Sequence, residues 1–192
     1  MTRVDFYVLA STDSASTDPA ARDTATSHST ATEPESTNSI DSRTDMVCKL
    51  AEKAVRQSRR VFIHTDDQDL AKRVDEALWG FRDDSFVPHC TVVCTDDTDG
   101  HASTNTGTNS GTGTGTTYTT QAVQEPVAIG YNTEPDLERS VLINLAESVP
   151  PFFSRFERTL EVVTEAPGVR EGARERYRYY QQRGYPLHHH KL

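Results

Sequence analysis

Along this chain, short uninterrupted apolar runs alternate with apolar positions at helical spacing. Val4-Asp5-Phe6-Tyr7-Val8-Leu9 reads as a strand. Met46, Val47, Leu50, Ala51, Ala54 and Val55 then recur on one side of a helix, with Lys49, Glu52, Lys53 and Arg56 around the rest of the cylinder. Arg60-Val61-Phe62-Ile63-His64 is a second strand. Thr65 or Asp66 caps a second helix, whose apolar stripe is Leu70, Ala71, Val74, Ala77 and Leu78. Cys90-Thr91-Val92-Val93-Cys94, Val127-Ala128-Ile129-Gly130-Tyr131 and Val141-Leu142-Ile143-Asn144-Leu145 are three more strands. A helix is expected from Val149 to Arg158 and a short strand over Leu160-Glu161-Val162-Val163. Pro167 and Gly168 open a final helix that runs to about Gln182.

Two segments carry neither rhythm. Residues 11–42 are rich in Ser, Thr, Asp and Ala, and residues 95–120 in Thr, Ser and Asn around Gly107, Gly111, Gly113 and Gly115. Neither can bury enough apolar surface to offset the entropy of ordering, so both are expected to be disordered insertions. Closure entropy grows only logarithmically with loop length, so one domain over residues 1–192 can carry both. Without them, strands alternate with helices, which implies crossover connections and a mostly parallel sheet covered on both faces. The expected fold is α/β, three-layered and Rossmann-like.

Composition narrows the function. The 192 residues are 34% hydrophobic with a net charge of −9. That balance argues against a non-specific nucleic-acid coat, which needs dense positive charge. No apolar run approaches the ~20 residues of a membrane span, and the opening residues lack the apolar core of a signal peptide. Three sparse cysteines, Cys48, Cys90 and Cys94, suit a reducing compartment, so a cytoplasmic location is expected.

Candidate chemistry is thin. A phosphate site needs glycines in the turn after a strand. The first strand runs into Ala10-Ser11-Thr12-Asp13 and the second into Thr65-Asp66-Asp67-Gln68-Asp69, whose carboxylates would repel phosphate. Gly111-Thr112-Gly113-Thr114-Gly115 follows no strand and opens no helix. Cys90 and Cys94 on one strand would stand roughly 13 Å apart, too far to share a zinc ion with His89 and His101. Asp66, Asp67 and Asp69 suit the positive end of a helix dipole better than a cation. His188-His189-His190 reads as a solvated tail. No Gly-x-Ser-x-Gly elbow is present. No catalytic residue, cofactor or metal is expected.

Two surface features stand out. Residues 166–192 carry six basic side chains against two acidic ones, Glu171 and Glu175, in an otherwise acidic chain. On a helix Arg170, Arg174 and Tyr177 share one face, and two guanidinium groups beside an aromatic ring suit a carboxylate next to an apolar group. The plainer reading is a solvated helix whose glutamates neutralise the arginines. The second feature is Leu78-Trp79-Gly80-Phe81 followed by Ser85-Phe86-Val87-Pro88-His89: the sole tryptophan at a helix end, then an aromatic loop. Such residues either anchor interfaces or cover the edge of a core.

Asp75-Glu76-Ala77-Leu78-Trp79, Ser85-Phe86-Val87-Pro88-His89 and Ala173-Arg174-Glu175-Arg176-Tyr177, in this order, resemble the chi-subunit family of bacterial DNA polymerase III. Asp5-Phe6-Tyr7-Val8-Leu9 and Arg60-Val61-Phe62-Ile63 fit the same pattern. The likeness spans the patterned chain but not the two insertions. It implies a non-catalytic accessory subunit of the replicative polymerase with a Rossmann-like fold and no nucleotide site. Such a subunit forms a heterodimer with psi, which tethers it to the clamp-loader complex. It also binds the acidic, Phe-ending C-terminal tail of single-stranded DNA-binding protein, so its contact with DNA is indirect.

Residue by residue, the resemblance puts the tail-binding surface on Val163, Arg170, Arg174 and Tyr177. Arg170 stands where the family commonly has lysine. The arginines would meet the tail's aspartates and terminal carboxylate, and Val163 and Tyr177 its apolar end. The psi-facing surface falls on Trp79, Phe86, Val87 and Pro88, and in some bacteria a helicase would compete for it. The competing expectations are an α/β enzyme or small-ligand binder with polar groups converging above the strand C-termini, and a direct nucleic-acid binder using the arginine helix.

Overall fold

The computed structural model describes residues 1–10, 35–81, 86–93, 125–135 and 139–192. Seven strands form one sheet: β1 (Arg3–Val8), β2 (Val61–Thr65), β3 (His89–Val93), β4 (Val127–Tyr131), β5 (Val141–Asn144), β6 (Arg158–Val163) and β7 (Leu187–Lys191). Their order is β3-β4-β2-β5-β6-β1-β7, and every neighbouring pair is parallel. Helices α1 (Glu35–Arg56), α2 (Gln68–Gly80) and α3 (Pro167–Gln182) complete the three-layer α/β fold.

The alternation of side chains along each strand divides the core in two. Val61, Ile63, Ile129, Ile143, Leu160 and Val162 face the layer that packs Val47, Leu50 and Ala51 of α1 and Leu70, Val74 and Leu78 of α2. Val4, Phe6, Phe62, Leu142 and Val163 face the other side, with Phe152, Phe153 and Phe156 of the β5–β6 connection and Ala173 and Tyr180 of α3. Nearly uniform burial of β2, β4 and β5 explains why their sequences are continuously apolar rather than alternating.

Four local readings of the sequence need correction. Helix α1 starts at Glu35, inside the segment read as insertion; extending an amphipathic helix costs far less than nucleating one, so weakly favourable residues join it. Residues 11–34 and 95–120 lie outside the described residues. The cap of α2 is Asp67, whose carboxylate accepts the Asp69 N–H at 2.8 Å, rather than Thr65 or Asp66. The helix expected from Val149 to Arg158 is only a 3₁₀ turn, Phe153–Arg155. Pro150 and Pro151 remove two backbone donors there, and Phe152, Phe153 and Phe156 are all buried against the sheet. The histidine run is no tail: it is β7, paired along β1 with Phe6 opposite His189 and Val8 opposite Lys191.

Candidate functional site

Helix α3 joins the C-terminal end of β6 to the N-terminal end of the parallel β7, so it runs back antiparallel to the strands. Pro167 in its first turn has its φ preset for the helix. Ala173, Arg176 and Tyr180 are its buried face. One flank over, Tyr177 is half-buried, with its ring edge-on to Phe6 at 5.4 Å and beside His189 at 5.3 Å. Arg170 and Arg174 continue that flank outward, both exposed and neither in an ion pair among the described residues. Glu171 and Glu175 form no ion pair with them among the described residues. Val163 closes the buried end of the site: it is 6% exposed and shares its cluster with Tyr177 and Val8. Of the four residues assigned to tail binding, Arg170, Arg174 and Tyr177 share one flank of α3, and Val163 belongs to the core cluster that Tyr177 packs against.

A buried polar network fixes α3 in this attitude. Arg176 Nε donates to Glu161 Oε2 at 2.9 Å and Arg176 Nη1 to the Glu147 carbonyl at 2.8 Å. Tyr180 Oη donates to Glu161 Oε1 at 2.9 Å and Asn144 Nδ2 to the same oxygen at 3.0 Å. Burial, with the Glu161 carboxylate adding to it, pushes the Tyr180 hydroxyl well above its ordinary value, so it remains a donor. On the opposite face of the sheet Arg43 ties the ends of β6 and β5 by donating to the Val162 and Leu145 carbonyls, both at 3.1 Å. The sequence singled out none of these groups as a unit. His64, Asn144 and Glu161 lie in register across β2, β5 and β6, so these are polar groups gathered near the strand C-termini. They are nevertheless buried: Asn144 and Glu161 are fully covered, and His64, its ionisation suppressed mainly by burial, packs edge-on against Phe152 at 5.1 Å. Through Glu161 the row holds α3 against the sheet.

The aromatic feature sits at the far edge of the sheet. Trp79 closes α2 and is 61% exposed; Phe86 is 57% exposed, and their ring centroids are 5.1 Å apart. His89 opens β3 and supports both, 5.1 Å from Trp79 and 6.3 Å from Phe86. The ring is itself held: Nδ1 lies 2.7 Å from the Val87 carbonyl oxygen and Nε2 3.3 Å from Asp75 Oδ1, the latter off the line of a hydrogen bond. Pro88 is half-buried, but Val87 is turned inward at 2% exposure, so it supports the patch from below instead of lining it.

The two surfaces lie at opposite ends of the sheet, β3 against β1 and β7, and on opposite faces. Six strand spacings separate the edges, roughly 28 Å. Cys48 and Cys90 are free thiols, while Cys94 lies outside the described residues. Among the described residues there is no cluster of potential metal ligands, and no helix is long and apolar enough to cross a membrane.

The likeness to known proteins is consistent along the chain. A family model described as the DNA polymerase III chi subunit matches residues 1–104 and 111–188. The DNA polymerase III subunit chi of Pseudomonas aeruginosa is 32% identical over 192 residues, covering all of this chain and 98% of that protein. The subunit chi of Escherichia coli K12 is 29% identical over 143 residues, 74% of this chain and 80% of that one. Among solved structures, T4 UvsW matches with a TM-score of 0.51 at 8% identity, covering the whole of this chain and 41% of that protein, a likeness of fold alone. With the family pattern matched over nearly its full length and a full-length relative above 30% identity, the chain belongs to the DNA polymerase III chi subunit family.

Proposed function

We propose that this subunit is a non-catalytic connector in the DNA polymerase III holoenzyme. The Trp79–Phe86 patch, with Pro88 beside it, docks psi and through it the clamp-loader complex. The groove of Val163, Arg170, Arg174 and Tyr177 takes the acidic C-terminal tail of single-stranded DNA-binding protein. The observation that carries this reading is the pair Arg170 and Arg174: two exposed guanidinium groups without ion pairs among the described residues, beside a half-buried Tyr177. Exposed cations held outside ion pairs on a chain of net charge −9 favour a specific anionic partner. Coated template would present several tails together and so raise a modest single-site affinity.

An assembly experiment tests both halves. Psi and single-stranded DNA-binding protein are run with this chain on a sizing column with light scattering. All three should co-elute. Trp79→Ala with Phe86→Ala should release psi alone, and Arg170→Ala with Arg174→Ala should release the binding protein alone. Loss of both partners from either variant would contradict two separate surfaces.

A further inference from the structure

The edge strand β7 runs beside the Tyr177 flank of α3. Phe6 faces α3, and its register partner His189 stacks on it at 5.8 Å while lying 5.3 Å from Tyr177. His190 points to the other face, stacked on Tyr7 at 4.5 Å and bonded to Asp5 at 2.9 Å. Strand alternation then returns Lys191 to the α3 face. In register, Val163 of β6, Val8 of β1 and Lys191 of β7 form one row across the sheet.

That row lies about 6.6 Å further toward the strand C-termini than the row of Phe6 and His189. Helix α3 runs the other way, so Arg174 lies about 4.5 Å from Tyr177 in the same direction. Arg174 and Lys191 therefore stand near one depth along the strands, level with Val8 and Val163, and Tyr177 and His189 meet over Phe6 at the next. Lys191 is exposed and makes no ion pair among the described residues, and His189 is exposed too.

We infer that β7 contributes directly to the peptide site: Lys191 binds a carboxylate at the depth of Arg174, and His189 extends the Tyr177 ring into a longer apolar rest. The inference depends on the reading of the α3 groove as the seat of a carboxylate-rich peptide end. It adds one cation and one ring supplied by the edge strand, so that the peptide rests on β7 as well as on α3.

Fluorescence anisotropy decides it, using an aspartate-rich peptide ending in Pro-Phe and the same peptide with asparagines in place of the aspartates. Lys191→Ala should weaken the acidic peptide by roughly threefold and leave the asparagine peptide unchanged. Lys191→Arg should restore wild-type binding, which a simple loss of β7 packing would not allow. His189→Ala should weaken both peptides alike, by roughly threefold or more. Lys72→Ala, on α2 at the other face, is the charge control and should have no effect. If Arg174→Ala weakens binding while Lys191→Ala and His189→Ala both match wild type, the β7 contribution is overturned and the α3 reading stands. If Arg174→Ala also matches wild type, both are overturned.

Discussion

Glu161 on β6 and Arg176 on α3 form a 2.9 Å ion pair in which neither side chain is more than 3% exposed. Desolvating two charges is costly, and the pair is stable only because Tyr180, Asn144 and the Glu147 carbonyl take up further bonding capacity. Removing one partner leaves the other's charge buried and unpaired. Arg176→Ala should therefore lower stability by about 3–5 kcal/mol, measured by urea unfolding. Replacing both, Arg176→Met with Glu161→Leu, should cost less than Arg176→Ala alone.

Asp5 gives the protein an acid-sensitive joint. Burial by itself raises its carboxyl; bonds from Arg158, Arg3 and His190 outweigh that and hold it at about 2. A lowered folded pKa contributes stability that is fully present above the ordinary carboxylate value and is lost as pH falls toward 2. The shift corresponds to about 2 kcal/mol. Asp5→Asn should be less stable at neutral pH by about that amount. Its stability should also fall less steeply than wild type between pH ~4 and ~2, followed by thermal melts across that range.

Gly130 is required for packing at the end of β4. A Cβ there would overlap the Phe62 ring and stand 2.8 Å from Thr133 Oγ1. Gly130→Ala should cost about 1–3 kcal/mol by overpacking, read from the urea midpoint.

Trp79 and Phe86 do little for the fold and much for docking, if the edge patch is an interface. Each is more than half exposed, so Trp79→Ala and Phe86→Ala should each leave the unfolding midpoint within about 0.5 kcal/mol of wild type. Each should weaken psi association by about 2 kcal/mol or more, as aromatic anchors do. Titration calorimetry alongside the melts separates the two effects.

The elements that could be read from sequence are those whose local chemistry and tertiary fate agree. β2, β4 and α3 end close to where their apolar rhythm and Pro167 put them, and the shared flank of Arg170, Arg174 and Tyr177 follows from helical spacing alone. β7 could not be read, because Leu187-His188-His189-His190-Lys191 has no apolar alternation; its pairing comes from β1, through rings and Asp5 far away in sequence. The 3₁₀ turn was hidden for the converse reason: Phe152, Phe153 and Phe156 imitate helical spacing in a segment that closes only a single 3₁₀ turn. Nor could local sequence show that Glu161 and Arg176 meet, since one reads as a polar interruption in a strand and the other as a surface arginine.

Tail binding depends most on the exposed arginine flank of α3. Titrating the aspartate-rich peptide ending in Pro-Phe into wild type and Arg174→Ala at low and moderate salt addresses it directly. Wild type should bind more weakly as salt rises, and Arg174→Ala should lose roughly tenfold or more in affinity at low salt, as a charge-assisted bond requires. Equal affinity of the two proteins, with the same salt response, would contradict the assignment.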